Sequence, residues 1–169
     1  TLFTLYRSAE QSLNRDTFLL TSTDQGRTFA ARRVDRWSIA TCPMSSYALA
    51  ETPTGVICAW ETMGQIHWQR LGHEAKSPTS PMGSASSDTI TVPGMSKVRK
   101  HPTLAVAPNG DVLVAWAEGT GWERGGSLAW QVYDKQGRPT AEKGRAEGIP
   151  AWGLPTAVTR PDGRFEIIY

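Results

Sequence analysis

Three segments of this chain carry one pattern, and that pattern limits what the chain can fold into. "PTGVICAWE" (Pro53 to Glu61) returns as "PNGDVLVAWAE" (Pro108 to Glu118) and again as "PDGRFEIIY" (Pro161 to Tyr169). Each time a Pro-x-Gly turn leads into a short apolar run ending on an aromatic: Trp60, Trp116 and Tyr169, at spacings of 56 and 53 residues. Other columns agree. "IHWQRL" (Ile66 to Leu71) matches "LAWQVY" (Leu128 to Tyr133), setting Trp68-Gln69 over Trp130-Gln131. Upstream of the turns lie "YALAE", "TLAVA" and "TAVT", entered through Pro43, Pro102 and Pro155. Such a repeat fixes the architecture before any single element is assigned.

The runs are rich in Val, Ile, Leu, Trp and Tyr and bounded by Gly, Pro, Asn and Asp, which is strand chemistry. No segment keeps a helical apolar period. With 16 Gly and 11 Pro, the chain reads as all-β. A repeating unit of four short antiparallel strands is the blade of a β-propeller. A β-sandwich fits less well, because its strands need not repeat in sequence. Parts of four blades are expected, at about 1–36, 37–94, 95–148 and 149–169. The first supplies strands b to d, the next two are complete, and the last supplies strands a and b.

At 169 residues the chain can bury one sizeable core. Its 18 Lys+Arg against 16 Asp+Glu, without a long basic run, argue against a nucleic-acid partner. No apolar stretch reaches membrane-span length, so no membrane partner and a soluble chain are expected. Of the two cysteines, Cys58 should lie opposite residues near Ala50 in a hairpin, too far from Cys42 to bridge. Two free, mostly buried thiols are expected. The histidines His67, His73 and His101 lack ligand spacing, so neither a metal nor another cofactor is expected.

"STDQGRTF" (Ser22 to Phe29) follows the strand-like "TFLLTS". It resembles the Asp-box, S-x-D-x-G-x-T-[WF], of the sialidase-like (BNR-repeat) propellers, and uncharacterised bacterial members of that group in particular. In this reading Ser22, Asp24, Gly26, Thr28 and Phe29 are structural. Asp24 accepts bonds from turn amides, Gly26 supplies a positive φ, and Phe29 buries its ring between sheets. The resemblance implies a ring of about six blades, of which this chain is roughly half. Open edges and blade faces then call for further sequence or a second chain to close it. It also implies a secreted or periplasmic location.

Strands that alternate in direction sort the loops onto two faces. Short turns ("TPTG", "PNGD", "DKQG", "RPDG") share the Asp-box face. The opposite face receives "SAEQSLNRD", "DRWSIATCP", "ETMGQ", "MSKVRKHP", "EGTGWERGG" and "IPAWGLP". Long, charged, aromatic loops on one face of a rigid scaffold are where sites sit. Trp122, Trp37 and Trp152 are candidate stacking plates for a sugar. Arg124, Arg15 and Lys100 are candidates for its acidic or hydroxyl groups. Glu118, Glu61, Asp16 and His101 are the candidate acid/base groups. The resemblance implies an exo-sialidase-like glycoside hydrolase acting on terminal acidic sugars. The alternative is a non-catalytic glycan- or protein-binding propeller module.

Overall fold

The structure, a computed structural model, describes residues 1–11, 13–72, 89–94 and 98–169. His73 and residues 95–97 of the "MSKVRKHP" segment lie outside them. Thirteen strands and no helix occur among the described residues. The first sheet is β1 (Leu2–Arg7), β2 (Thr17–Ser22) and β3 (Ala30–Asp35). The second is β4 (Ala48–Thr52), β5 (Gly55–Thr62), β6 (Gln65–Gly72) and the short β7 (Ile90–Thr91). The third is β8 (Arg99–Val106), β9 (Val112–Glu118), β10 (Gly126–Tyr133) and β11 (Pro139–Ile149), and the fourth is β12 (Thr156–Thr159) with β13 (Phe165–Ile168). Every pairing is antiparallel between sequential neighbours. The innermost strands β4, β8 and β12 lie side by side, so successive sheets stack face to face.

Side-chain alternation along a strand divides each middle strand between two cores. From β5, Ile57 and Ala59 face the third sheet, while Cys58 and Trp60 face the first. From β9, Val112, Val114 and Trp116 face the second sheet, and Leu113, Ala115 and Ala117 face the fourth. Trp60 and Trp116 are therefore equivalent, each turned toward the sheet before it. Each also sits one residue beyond a matching register pair, Ala48↔Ala59 and Thr103↔Ala115. Tyr169 holds the same place after Thr156↔Ile168 but is 47% exposed. The repeated Trp68 and Trp130 face the next sheet instead. Trp68 is fully buried and meets Tyr133 edge-on, with ring centroids 4.9 Å apart. Trp130 is half-buried, because the fourth sheet has two strands and covers less of it.

Two expectations are corrected. Phe29 is 46% exposed: its ring lies over its own turn at Gly26, and among the described residues nothing stacks beyond the outer side of the first sheet. Cys42 is exposed because it lies on the irregular segment between β3 and β4, whereas Cys58 is buried opposite Leu49. Neither forms a disulfide. Burial pushes the Cys58 thiol up to about 12, so it packs as a small apolar group.

The rest of the Ser22 to Thr28 turn forms as its residue types require. Asp24 Oδ1 accepts the Thr28 N–H at 2.9 Å and the Ser22 hydroxyl at 2.8 Å, and Oδ2 accepts the Thr28 hydroxyl at 2.6 Å. Gly26 sits at φ 87° and donates its N–H to Ser22 Oγ. At "YDKQGRP" Asp134 does the same work, accepting from the Gln136 and Arg138 amides, with Gly137 at φ 82°. Arg70 donates to the carbonyls of Gly110 and Asp134, tying turns of neighbouring sheets together at this end.

Candidate functional site

The end opposite the turns holds a cleft of about 840 Å³. Its walls come from five places: the loop after β3 (Trp37, Cys42, Met44), the end of β5 and its turn into β6 (Glu61, Met63), the start of β8 (Lys100, His101), and the two loops bearing Trp122 and Trp152. Six of the sequence candidates thus meet: Glu61, Lys100, His101, Trp37, Trp122 and Trp152.

The loop after β9 shows how the sequence presents Trp122. Gly119 at φ 75° reverses the chain, and its N–H bonds the Val98 carbonyl at 2.9 Å. A two-way backbone bridge between Gly121 and Arg124 then pins a turn with Trp122 at its tip. Gly126 closes the loop where a side chain would strike the Glu118 carbonyl and Thr120. Trp122 is left 72% exposed and meets Trp152, 55% exposed, at 4.6 Å with ring planes 82° apart. The pair thus presents an exposed aromatic surface at the mouth of the cleft, where burial would otherwise favour folding it inward.

Glu61 lies at the foot of the wall, 2% exposed. Its Oε1 accepts the Gly64 N–H at 2.8 Å, and Oε2 is 3.8 Å from Arg7 Nη1. Desolvation dominates and raises the carboxyl above the usual range, against the opposing pull of the Gly64 amide, Arg7 and Lys100. Arg7 is itself gripped: its Nε donates to Tyr47 Oη, its Nη2 to the Glu61 carbonyl, and its guanidinium lies 4.7 Å from the Trp37 ring centroid. This cage gives Trp37 a structural share in the cleft. Arg7 ends β1 and Tyr47 lies just before β4, and neither is a candidate from sequence.

Lys100 and His101 would face opposite ways on a regular strand. A bulge in β8 between Lys100 and Thr103 breaks the alternation, and His101 takes φ 54°, so both line the cleft. The His101 N–H donates to Ser45 Oγ, and the Ser46 N–H donates to His101 Nδ1 at 3.3 Å. Desolvation, then the Lys100 charge, lowers the imidazole below its ordinary value. Met63 (φ 56°) and Trp152 (φ 67°) are two more non-glycine residues in the left-handed region on this cleft. Strain concentrated at one place on a surface is a mark of a working site.

Four candidates lie outside the cleft lining. Asp16 accepts the Trp37 N–H at 3.0 Å and pairs with Arg33 at 3.3 Å, fixing one loop. Glu118 accepts from Arg99 Nε and Trp116 Nε1, both at 2.9 Å, and pairs with Arg145. Arg124 is exposed and donates to the Gly119 carbonyl, bracing the Trp122 turn. Arg15 donates to its neighbour's carbonyl, Asn14.

No family model matches the chain, and no curated protein matches it. Among solved structures it is similar to the α-L-arabinanase of Penicillium chrysogenum complexed with arabinobiose, at 16% identity and a TM-score of 0.54. The match covers 99% of this chain and 53% of that one, so the chain spans about half of the other protein. This likeness establishes the fold: an all-β chain of antiparallel blades forming part of a β-propeller. The sialidase-like resemblance has Ser22 to Phe29 as its one specific motif, beside the repeat pattern along the chain.

Proposed function

We propose that the cleft binds the end of a glycan, with terminal acidic sugars as its ligands. The observation that carries this reading is the meeting of an exposed tryptophan pair, a lysine, a histidine and a buried carboxyl in one cleft. Aromatic rings cover the apolar C–H face of a sugar, while a few polar groups read its hydroxyl and acidic substituents. The arabinobiose bound by the similar arabinanase is in keeping with a carbohydrate ligand. Recognition is favoured over hydrolysis. Hydrolysis in most families takes two carboxyl groups across the scissile bond, and among the described residues Glu61 is the one carboxyl lining this cleft.

A second reading has its own support. A carboxyl raised by burial, as Glu61 is, suits a general acid that must hold its proton near neutral pH. Glu61 would then protonate the leaving oxygen of a glycosidic bond. Screening the protein against a glycan panel, and against reporter glycosides, separates the two. Binding without release of the reporter supports recognition; release that is lost in Glu61→Gln supports hydrolysis. Absence of binding across the panel overturns both.

A further inference from the structure

We propose that Lys100 and His101 form a carboxylate-binding subsite of the cleft, built by the β8 bulge. This deepens the glycan-binding reading and rests on it, because it names which residues take the acidic group of the sugar. Arg124, another sequence candidate for that task, spends its Nε on the Gly119 carbonyl and does not line the cleft.

Three observations carry the assignment. First, the bulge and the φ of 54° at His101 turn two consecutive side chains into the same cleft, a backbone conformation that a histidine adopts only at a cost. Second, the orientation of the imidazole is fixed. With the Ser46 amide donating to Nδ1, the ring proton of the neutral form resides on Nε2, which is then a donor. Third, Lys100 has no ion pair among the described residues, while Arg7, Arg33 and Arg99 each have one and Arg145 has two. The ammonium of a half-buried lysine next to an oriented N–H donor is a complement for a carboxylate, which accepts at two oxygens. The nearby Glu61 does not neutralise the subsite when it carries its proton, and it already spends Oε1 on the Gly64 amide. Cys42 is the remaining titratable group on the cleft lining.

Paired probes test this: methyl β-glucuronide and methyl β-glucoside, which differ in one carboxylate, titrated against wild type, Lys100→Met and His101→Asn. Asparagine tolerates the left-handed backbone and so preserves the bulge. The expected result is binding of the glucuronide at least about tenfold tighter than the glucoside, the size of a charge-assisted hydrogen bond. Each variant should remove most of that preference, weakening glucuronide binding much more than glucoside binding. The His101 imidazole resonances, followed by NMR across pH, should titrate higher with glucuronide present and stay unmoved with glucoside. Equal affinity for the two sugars overturns the subsite and leaves the glycan cleft standing. Failure of both sugars to bind overturns the cleft reading itself and the subsite with it.

Discussion

Trp122 and Trp152 meet edge to face at 4.6 Å, although each belongs to a different loop and both remain more than half exposed. Neither ring is held by a core, so each orients the other. Truncating Trp122 to Ala should weaken glycan binding by about 1 to 3 kcal/mol, as for an aromatic anchor, and leave the melting temperature within a degree or two. Calorimetric titration beside a thermal melt checks both halves. An unfolded variant would mean that the pair is structural.

Glu61→Gln should stabilise the fold at neutral pH. Burial raises the folded-state pKa of Glu61 above its unfolded value, so the folded protein binds the proton more tightly. That contribution is present at acid pH and fades as pH rises through the folded pKa. Glutamine keeps an acceptor for the Gly64 amide and carries no charge to desolvate. Melting curves from pH 4 to 8 should show the variant pulling ahead of wild type toward the alkaline end.

Glu118→Ala should damage stability and spare ligand affinity in whatever fraction stays folded. It strands the Arg99 guanidinium, 5% exposed, together with the Trp116 indole N–H. Losing one partner of a buried pair costs about 3 to 5 kcal/mol. Denaturant unfolding reads the loss. Glu118→Gln, which retains an acceptor, should recover part of it.

Gly144→Ala should destabilise the third sheet, because a Cβ there would overlap the six-membered ring of Trp130 on the paired strand. Overpacking of this kind costs about 1 to 3 kcal/mol. Combining it with Trp130→Leu should return much of the loss, which a double-mutant cycle would measure.

The Asp24 carboxyl is held down at about 2, first by the Thr28 hydroxyl, then by the Thr28 amide and the Ser22 hydroxyl. Its contribution is therefore full above its unfolded pKa and is lost as pH falls toward 2. Asp24→Asn should erase that acid limb of the stability profile without changing glycan affinity, since the turn lies at the other end of the molecule from the cleft.

Sheets were legible in the sequence because the Pro-x-Gly turn and its following aromatic repeat at three places, and alternation within "GVICAWE" and "DVLVAWAE" divides cleanly between two cores. The turn at Ser22 to Thr28 was legible because it is local: Ser22 bonds Asp24 and Gly26, and Asp24 bonds Thr28. Phe29 was not, because its burial depends on a neighbour sheet that a local motif does not describe. The cleft was half legible. Loop sorting gathers Glu61, Lys100, His101 and three tryptophans, but also admits Asp16 and Glu118, whose Arg33, Arg99 and Arg145 partners lie 17, 19 and 27 residues away. Pairings at that distance leave no periodic trace. The bulge at His101 left none either, since nothing in "RKHPTL" demands a positive φ.

Burial on both faces of β5 and β9, against one covered face for the first and last sheets, sets a gradient of opening free energies along the stack. Units that touch only their neighbours exchange in the order of how many neighbours they have. Amide hydrogen exchange should therefore be slowest at Ile57 to Ala59 and Val112 to Trp116, and fastest in β1 and β13. The cleft straddles this gradient. Glu61 and Lys100 stand on strands of the two most protected sheets, while Trp152 rides the link to the least protected one. A ligand that bridges them would slow exchange at the far end of the stack, in residues it never touches.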